Sequence, residues 1–178
     1  MAFEDEASFY SQPTMAPVHA PAGRLQPRAR LGTGANDCVR AAVAFDPVSG
    51  NSRHCLRAHF TVAEFGSFCQ EVAAWLPAAR RIVLVMDNWF VHRHQDTQRA
   101  IAIDPRMEVL WLPTYAPWLN PAEKIWKWVR QRRVHMHALG GNLAQLRALV
   151  DATLGRAAQA PQELLRYTGT GKYKLYGA

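Results

Sequence analysis

Three acidic residues, Asp5, Asp87 and Glu123, have the chemical type and the positions in the chain that suit joint metal chemistry. Asp87 directly follows the aliphatic run Arg81 to Met86, and Glu123 falls in the first turn of a predicted helix. Clustered carboxylates repel one another unless cations hold them, and their hard oxygen atoms suit Mg²⁺ or Mn²⁺. Two such ions, about 3.5–4 Å apart, activate a water or 3′-hydroxyl and stabilise the departing oxygen of a phosphodiester. We therefore expect a metal site for phosphodiester chemistry if the fold brings these residues together.

Each carboxylate also has an ordinary structural interpretation. Glu123 follows Asn120 by three residues, which is close to the spacing of a helix capping box. Asp87 belongs to an Asp-Asn pair typical of turns and helix starts, and Asp5 lies in a run of three acidic residues that suits a solvated surface. Only the combination of all three indicates a site.

The elements that would position these side chains alternate between strands and helices. Apolar runs bounded by turn residues predict strands at Met1–Phe9, Cys38–Phe45, Arg53–Phe60, Arg81–Met86 and Met107–Leu112. Apolar residues at helical spacing predict helices from Thr61 to Pro77, Gln95 to Ile103, Pro121 to about Met136 and Asn142 to about Ala158. This order predicts an α/β fold with one mixed sheet flanked by helices. If the first and fourth strands are neighbours, Asp5 and Asp87 lie side by side.

Composition restricts the class of protein. The chain has 178 residues, 49% of them hydrophobic, which is enough for one domain with a substantial core. Its formal charge of +7 favours a polyanionic partner such as nucleic acid. The cysteines Cys38, Cys55 and Cys69 lack the paired spacing of a zinc or redox site, so a reduced cytosolic environment is expected. No apolar run approaches the length of about 20 residues that spans a bilayer.

Two long strings of residues resemble a known family. They are Val83-Leu-Val-Met-Asp-Asn88 and Leu112-Pro-Thr-Tyr-Ala-Pro-Trp-Leu-Asn-Pro-Ala-Glu-Lys-Ile-Trp126, preceded by Phe3-Glu-Asp-Glu-Ala-Ser-Phe9. They are similar to motifs of the DDE transposases of the mariner-related bacterial insertion-sequence-630 group. The resemblance implies an RNase H-like fold with a mixed five-stranded sheet, and it assigns Asp5, Asp87 and Glu123 to a catalytic triad that binds Mg²⁺ or Mn²⁺, as two ions. It also implies DNA cleavage at transposon ends and strand transfer.

Several residues near the triad are candidates for DNA contact. The helix after Glu123 carries Lys124, Lys127 and Arg130 with little opposing acid, which suits phosphate binding, although a solvated basic face is the simpler alternative. His92 matches the family pattern and is expected to touch DNA or to orient a carboxylate. Further candidates in the predicted loops are Trp89, Tyr115 and Trp118.

The resemblance also predicts the organisation of the chain. Residues 1–159 are predicted to form the catalytic domain, and residues 160–178 a basic C-terminal tail. Members of the group carry helix-turn-helix modules ahead of this domain, whereas four residues precede Asp5 here. We therefore expect DNA as the partner, a homodimer on DNA, a separate upstream helix-turn-helix chain and a bacterial cytoplasmic location. Two alternatives stay open: a decayed remnant that only binds DNA, and another RNase H-like nuclease such as a junction resolvase.

Overall fold

A five-stranded sheet forms the centre of the chain in a computed structural model that describes residues 1–13, 29, 31–32, 36–114, 116–135 and 137–172. The order across the sheet is β3-β2-β1-β4-β5. Strands β1 to β3 pair antiparallel, whereas β4 and β5 run parallel to β1, so the sheet is mixed as predicted. The strands are β1 (Ala2–Tyr10), β2 (Cys38–Phe45), β3 (Ser52–Arg57), β4 (Ile82–Met86) and β5 (Met107–Trp111).

Six helices cover both faces of this sheet in the described part of the chain. They are α1 (Val62–Trp75), α2 (Phe90–Arg93), α3 (Gln95–Ala102), α4 (Ala122–Val129), α5 (Leu143–Ala158) and α6 (Pro161–Thr168). Side chains of α1, α2 and α3 pack into one hydrophobic core, and those of α4, α5 and α6 pack into a second core on the opposite face. None of the helices in the described residues has the length and apolar character needed to cross a membrane.

Local sequence chemistry fixes the β2–β3 hairpin and the start of α1. In the hairpin loop, the side chain of Asp46 accepts hydrogen bonds from the backbone of Val48 and the hydroxyl of Ser49, at 3.0 and 2.7 Å. Thr61 and Glu64 form the predicted capping box, in which each side chain bonds the other residue's backbone N–H. These short-range interactions confirm the hairpin and helix that the sequence predicted.

Three predicted elements differ in the structure. β3 ends at Arg57 rather than Phe60, and β5 ends at Trp111 rather than Leu112. Because β5 has only one neighbour in the sheet, it is an edge strand, and its Leu110 is half exposed. The helix from Pro121 was predicted to run to about Met136. Instead, α4 ends at Val129 and a wider π-type turn continues over Arg130–Val134. Most of the segment between β1 and β2 lies outside the described residues.

The proposed boundary between domain and tail at residue 159 is wrong in the described region. Residues Pro161–Thr168 form α6, whose Leu164 and Leu165 are buried in the same core as Leu154 of α5. The sequence predicted a basic tail here, but burial of Leu164 and Leu165 against α4 and α5 makes the described part of this segment belong to the domain. Residues 173–178 lie outside the described part.

The burial of α6 leads to a stability prediction. Leu164→Ala should lower the free energy of unfolding by about 2–5 kcal/mol, because it leaves a cavity in a fully buried site. Ile103→Ala, at a residue that is 71% exposed, is the matched control and should change stability by less than about 0.5 kcal/mol. Urea unfolding measures both variants. An effect of Leu164→Ala as small as that of the control would contradict the role of α6 in the core.

Candidate active site

The three predicted carboxylates line one cleft at the carboxyl end of β4. In the parallel pair of β1 and β4, Phe3 lies opposite Val85, and continuing this register by two residues brings Asp5 opposite Asp87. Glu123, in the first turn of α4, lines the same cleft. We call this space the carboxylate cleft, and its wall also includes Trp89, Leu112 and Asn120. The structure therefore brings together all three residues that the sequence singled out.

Asn120 fixes the position from which Glu123 reaches the cleft. Its side-chain amide donates to the backbone carbonyl of Glu4 at 2.8 Å, and its side-chain oxygen accepts from the backbone of Ala122 at 3.1 Å. The backbone N–H of Asn120 donates to Pro117, so Glu123 does not complete the suspected capping box and its exposed carboxylate faces the cleft instead. The sequence indicated Asn120 as a possible helix cap, but it did not predict the bond between Asn120 and β1.

The position of Asp5 in the cleft disfavours its ionised form and raises its pKa. Burial, followed by the negative charges of Glu123 and Glu6, raises the pKa of Asp5 to about 8. The indole N–H of Trp126 donates to Oδ2 of Asp5 at 2.8 Å, which opposes this rise and holds the carboxylate in one orientation. Trp126 is buried as predicted, but its polar contact with Asp5 was not foreseen.

The chemistry of this group fits a hard divalent cation. Asp5, Asp87 and Glu123 offer carboxylate oxygens, the ligands that Mg²⁺ and Mn²⁺ prefer. Burial, followed by the charges of Glu123 and Glu6, raises the pKa of Asp5, and a bound divalent cation would stabilise the ionised form against both effects. The donor set and its electrostatics therefore suit the predicted metal site.

His92 supports Asp87 from beneath the cleft. Its Nδ1 lies 2.9 Å from Oδ1 of Asp87, and its Nε2 lies 2.9 Å from Oε1 of Glu6. The ring is 1% exposed and packs on Phe65 at a centroid distance of 4.4 Å. The predicted contact between His92 and DNA is thus contradicted, because no ring surface is open to a ligand. The alternative expectation, that His92 orients a carboxylate, agrees with these distances.

The bonds around His92 shift the titration of the groups that it joins. Burial alone would lower the pKa of His92, but hydrogen bonds to Asp87 and Glu6 outweigh burial and raise this pKa to about 11. In return, the hydrogen bond from His92 lowers the pKa of Asp87 below its ordinary value. His92 is therefore held as a cation that donates to both carboxylates.

Glu4, Glu6 and His92 form a second acidic group in which the ligand atoms lie within 4.8 Å of one another. Glu4 is fully buried, and neither of its carboxyl oxygens has a hydrogen-bond partner in the described residues. Burial, followed by the charge of Glu6, raises the pKa of Glu4 well above its ordinary value, which favours the neutral acid. This group serves to hold His92, whose two ring nitrogens are already engaged by Asp87 and Glu6.

The other predicted contact residues that the structure describes lie on α4 or directly after it, and in the segments before α2 and α4. Lys124 and Lys127 are exposed on α4, and the ammonium of Lys124 donates to the backbone carbonyl of Thr168. The guanidinium of Arg130 lies over the ring of Phe9, with 5.5 Å between its Cζ and the ring centroid. Of the candidate aromatic residues, Trp89 lines the cleft, Trp118 is 77% exposed, and Tyr115 lies outside the described residues.

The sequence matches a known protein family over most of its length. Residues 1–147 match the family model described as DDE superfamily endonuclease. A protein of Shigella sonnei named "Insertion element IS630 uncharacterized 39 kDa protein" is 30% identical over 96 residues. That alignment covers 54% of this chain but 23% of the relative, so the matched part spans about a quarter of the relative's length.

The fold is similar to solved transposase structures. A Mos1 mariner paired-end complex with Mn aligns over 97% of this chain and 56% of that chain, with a TM-score of 0.62 and 13% identity. The catalytic domain of Mos1 mariner transposase aligns over 97% of this chain and 83% of that chain, with a TM-score of 0.56 and 13% identity. At such low identity the likeness establishes the fold alone, and it confirms the predicted RNase H-like architecture.

The raised pKa of Asp5 predicts that the folded chain becomes more stable when the charge of Asp5 is removed. In metal-free protein at pH 8, Asp5→Asn should raise the free energy of unfolding by about 1 kcal/mol or more. At this pH the Asp5 carboxyl is ionised in the unfolded chain, whereas burial and neighbouring charges disfavour its ionised form in the folded chain. A raised pKa in the folded state means that wild-type stability falls as pH rises from about 4 to about 8, so the gain should shrink towards pH 4. Urea unfolding with a chelator at both pH values measures it.

The same pair of proteins tests metal binding. Mn²⁺ should raise the melting temperature of the wild type at pH 8 and have little effect on Asp5→Asn, because the variant lacks one anionic ligand. Asp96→Asn, at an exposed acid on α3, is the control and should respond to Mn²⁺ like the wild type. A destabilised Asp5→Asn protein, or one that Mn²⁺ stabilises fully, would contradict the electrostatic account of the cleft.

The support of Asp87 by His92 predicts a change in metal affinity. His92→Gln should weaken Mn²⁺ binding by about 10-fold or more, because one amide cannot hold both Asp87 and Glu6 as the imidazolium does. Titration of Mn²⁺ followed by electron paramagnetic resonance measures free and bound metal without any DNA. His94→Asn, which keeps a capping side chain at the start of α3, is the control. Unchanged affinity in folded His92→Gln protein would rule out this support.

Proposed function

Because the chain belongs to the DDE superfamily endonucleases, we propose that it is the catalytic domain of a transposase and cuts DNA strands with Asp5, Asp87 and Glu123. The observation that carries the proposal is the convergence of these three carboxylates on one cleft, from a central strand, the end of its parallel neighbour and a late helix. A cleft formed by carboxylates at the end of a parallel strand is a usual place for a site in an α/β sheet.

Each residue of the cleft has a defined part in this reaction. Mg²⁺ or Mn²⁺, which we propose to bind as two ions, would supply an activated oxygen nucleophile and stabilise the departing oxygen. Asp5 presents its carboxylate in the orientation set by Trp126, and Asp87 does so in the orientation set by His92. Glu123 approaches from α4, whose start is fixed to β1 by Asn120. No side chain is needed as a covalent nucleophile.

The basic residues of α4 suit contact with DNA phosphates beside this cleft. Lys127 lies one helical turn after Glu123 and is exposed, so a phosphate near the cleft comes within reach of its ammonium group. Lys124 and Arg130 lie on either side of Lys127 in the sequence. The hydrogen bond of Lys124 to the carbonyl of Thr168 and the contact of Arg130 with the ring of Phe9 restrict the motion of these two side chains. We propose that all three neutralise backbone phosphates and read no base sequence.

Recognition of particular DNA ends belongs to another part of the proposed system. The matched relative and the paired-end Mos1 chain are both longer than this chain, which covers 23% and 56% of their lengths. We propose that a separate helix-turn-helix module selects transposon ends, that two copies of the chain act together, and that strand transfer follows cleavage. Strand transfer uses the same in-line displacement, with a DNA 3′-hydroxyl as the nucleophile.

Metal-dependent nicking of DNA tests the proposal. The wild type should nick supercoiled DNA with Mn²⁺ or Mg²⁺, and Asp87→Asn and Glu123→Gln should each lower the rate by at least about 100-fold because an anionic ligand is lost. Asp96→Asn serves as the matched acidic control and should cut like the wild type. Cleavage that persists in both cleft variants would remove the proposed site.

The two alternatives give different results in the same preparation. A decayed remnant would bind DNA with undiminished affinity but would neither bind Mn²⁺ nor nick. A junction-resolving nuclease would cut four-way junctions in preference to linear duplex. The long match to the DDE family favours neither of them.

A further inference from the structure

We propose that a groove running from the carboxylate cleft to Arg40, Arg57 and Arg147 holds the phosphate backbone of the DNA strand being cut. This inference rests on the proposed function and adds a second phosphate-binding surface to it. The groove, which we call the arginine groove, lies along the edge of β1 that β4 leaves uncovered. β4 pairs with Ala2 and Phe3, and beyond them β1 has a partner only on the β2 side in the described residues.

Two hollows that share lining residues make up this groove. Its first part is lined at one end by the three cleft carboxylates and at the other by Ser8, Arg40 and His59. A second hollow shares Arg40 and His59 and adds Arg57 and Arg147. Ser8 lies opposite Arg40 in the β1–β2 pair and is three residues beyond Asp5, which corresponds to about 10 Å along a strand. A strand within duplex DNA advances about 3.4 Å per nucleotide along the helix axis, so this distance corresponds to about three nucleotides of duplex.

The charges of the arginine groove are poorly neutralised by the protein. Arg40 lies directly opposite Arg57 in the antiparallel β2–β3 pair, and like charges in that arrangement repel each other. Glu71 pairs with Arg57 at 2.5 Å and also with Arg53, so one carboxylate serves two arginines. Two arginines side by side on adjacent strands favour the binding of an anion next to them, because the anion reduces their repulsion.

Arg40 and Arg147 bind neutral groups rather than carboxylates in the described structure. Arg40 donates through Nη1 to the carbonyl of Ala58 at 2.5 Å, and Arg147 donates through Nη2 to the carbonyl of Leu56 at 2.9 Å. These bonds orient both guanidinium groups and leave their full charge and further N–H donors to a ligand. The planar fork of arginine suits a pair of phosphate oxygens. Among the described residues, the one acid that lines this hollow is Asp37, and Asp37 is exposed.

The positions of Arg40 and Arg57 separate these two residues of the arginine groove from the basic residues of α4. Arg40 and Arg57 project from the sheet face that carries α1, since Arg57 bonds Glu71 of that helix. Lys127 belongs to α4, which packs on the opposite face. The two surfaces approach the carboxylate cleft from different sides, so substitutions in them should act independently on DNA binding.

DNA binding by single variants tests the arginine groove. The probe is a fluorescein-labelled 30-base-pair duplex with a single-stranded extension, titrated with protein in Ca²⁺ at several salt concentrations. Arg40→Gln and Arg147→Gln should each weaken binding by about 5-fold to 10-fold and reduce the salt slope by about 1. Arg99→Gln, at an exposed arginine on α3 paired with Asp96, should leave both quantities unchanged.

Two further comparisons keep the outcomes distinct. Arg40→Lys should restore only part of the affinity, because it returns the charge but not the planar fork. Arg40→Gln combined with Lys127→Ala should give the product of the two separate losses, because Arg40 and Lys127 lie on opposite faces of the sheet. If Arg40→Gln and Arg147→Gln bind DNA like the wild type, the arginine groove is not a DNA surface, whatever the nicking assay shows. If the wild type binds DNA but does not nick it, and Arg40→Gln and Arg147→Gln each lose affinity, the arginine groove is supported and the proposed function is rejected.

Competition identifies the ligand class. Unlabelled DNA of the same length should displace the probe from the wild type far more effectively than inorganic phosphate or poly-glutamate at equal anion concentration. Displacement by poly-glutamate as effective as by DNA would mean that the arginines bind acidic chains in general, which would overturn the assignment to a DNA strand. Circular dichroism melting of each variant verifies that affinity is compared between folded proteins.

Discussion

The gathering of three carboxylates at one end of β4, with Asp5 buried among them, is the constraint on which the rest of this structure depends. Asp5 pays for it most directly, since burial and neighbouring charges raise its pKa to about 8. A fold selected for stability alone would not place these groups together. The supporting contacts of Trp126, His92 and Asn120 are best understood as the means of holding the group in place until a cation neutralises it.

Support reaches the cleft from both faces of the sheet. Trp126, from the core beneath α4, bonds Asp5, and His92, from the core beneath α1, bonds Asp87. Each supporting side chain is almost fully buried, so its orientation is set by packing and not by solvent. A site built in this way is stiff, because displacement of either carboxylate would require repacking of a hydrophobic core.

Positive charge surrounds this acidic centre. The chain carries a formal charge of +7, yet the carboxylate cleft concentrates negative charge at one point. Basic side chains of α4 lie on one side of it, and the arginine groove extends from it on the other. Such a distribution attracts a polyanion to the surface as a whole while reserving the centre for divalent cations, which bridge the carboxylates and the phosphate.

The sequence by itself determined the five strands, four of the helices, their order and the three candidate carboxylates, because strand and helix periodicity, the Thr61 capping box and the family strings are local or linear signals. Only the tertiary structure decided the rest. The bonds from Trp126 to Asp5, from Asn120 to Glu4 and from His92 to Glu6 join residues 121, 116 and 86 positions apart. The burial of α6 and of the His92 ring likewise depends on packing between distant segments, and no local pattern encodes such contacts.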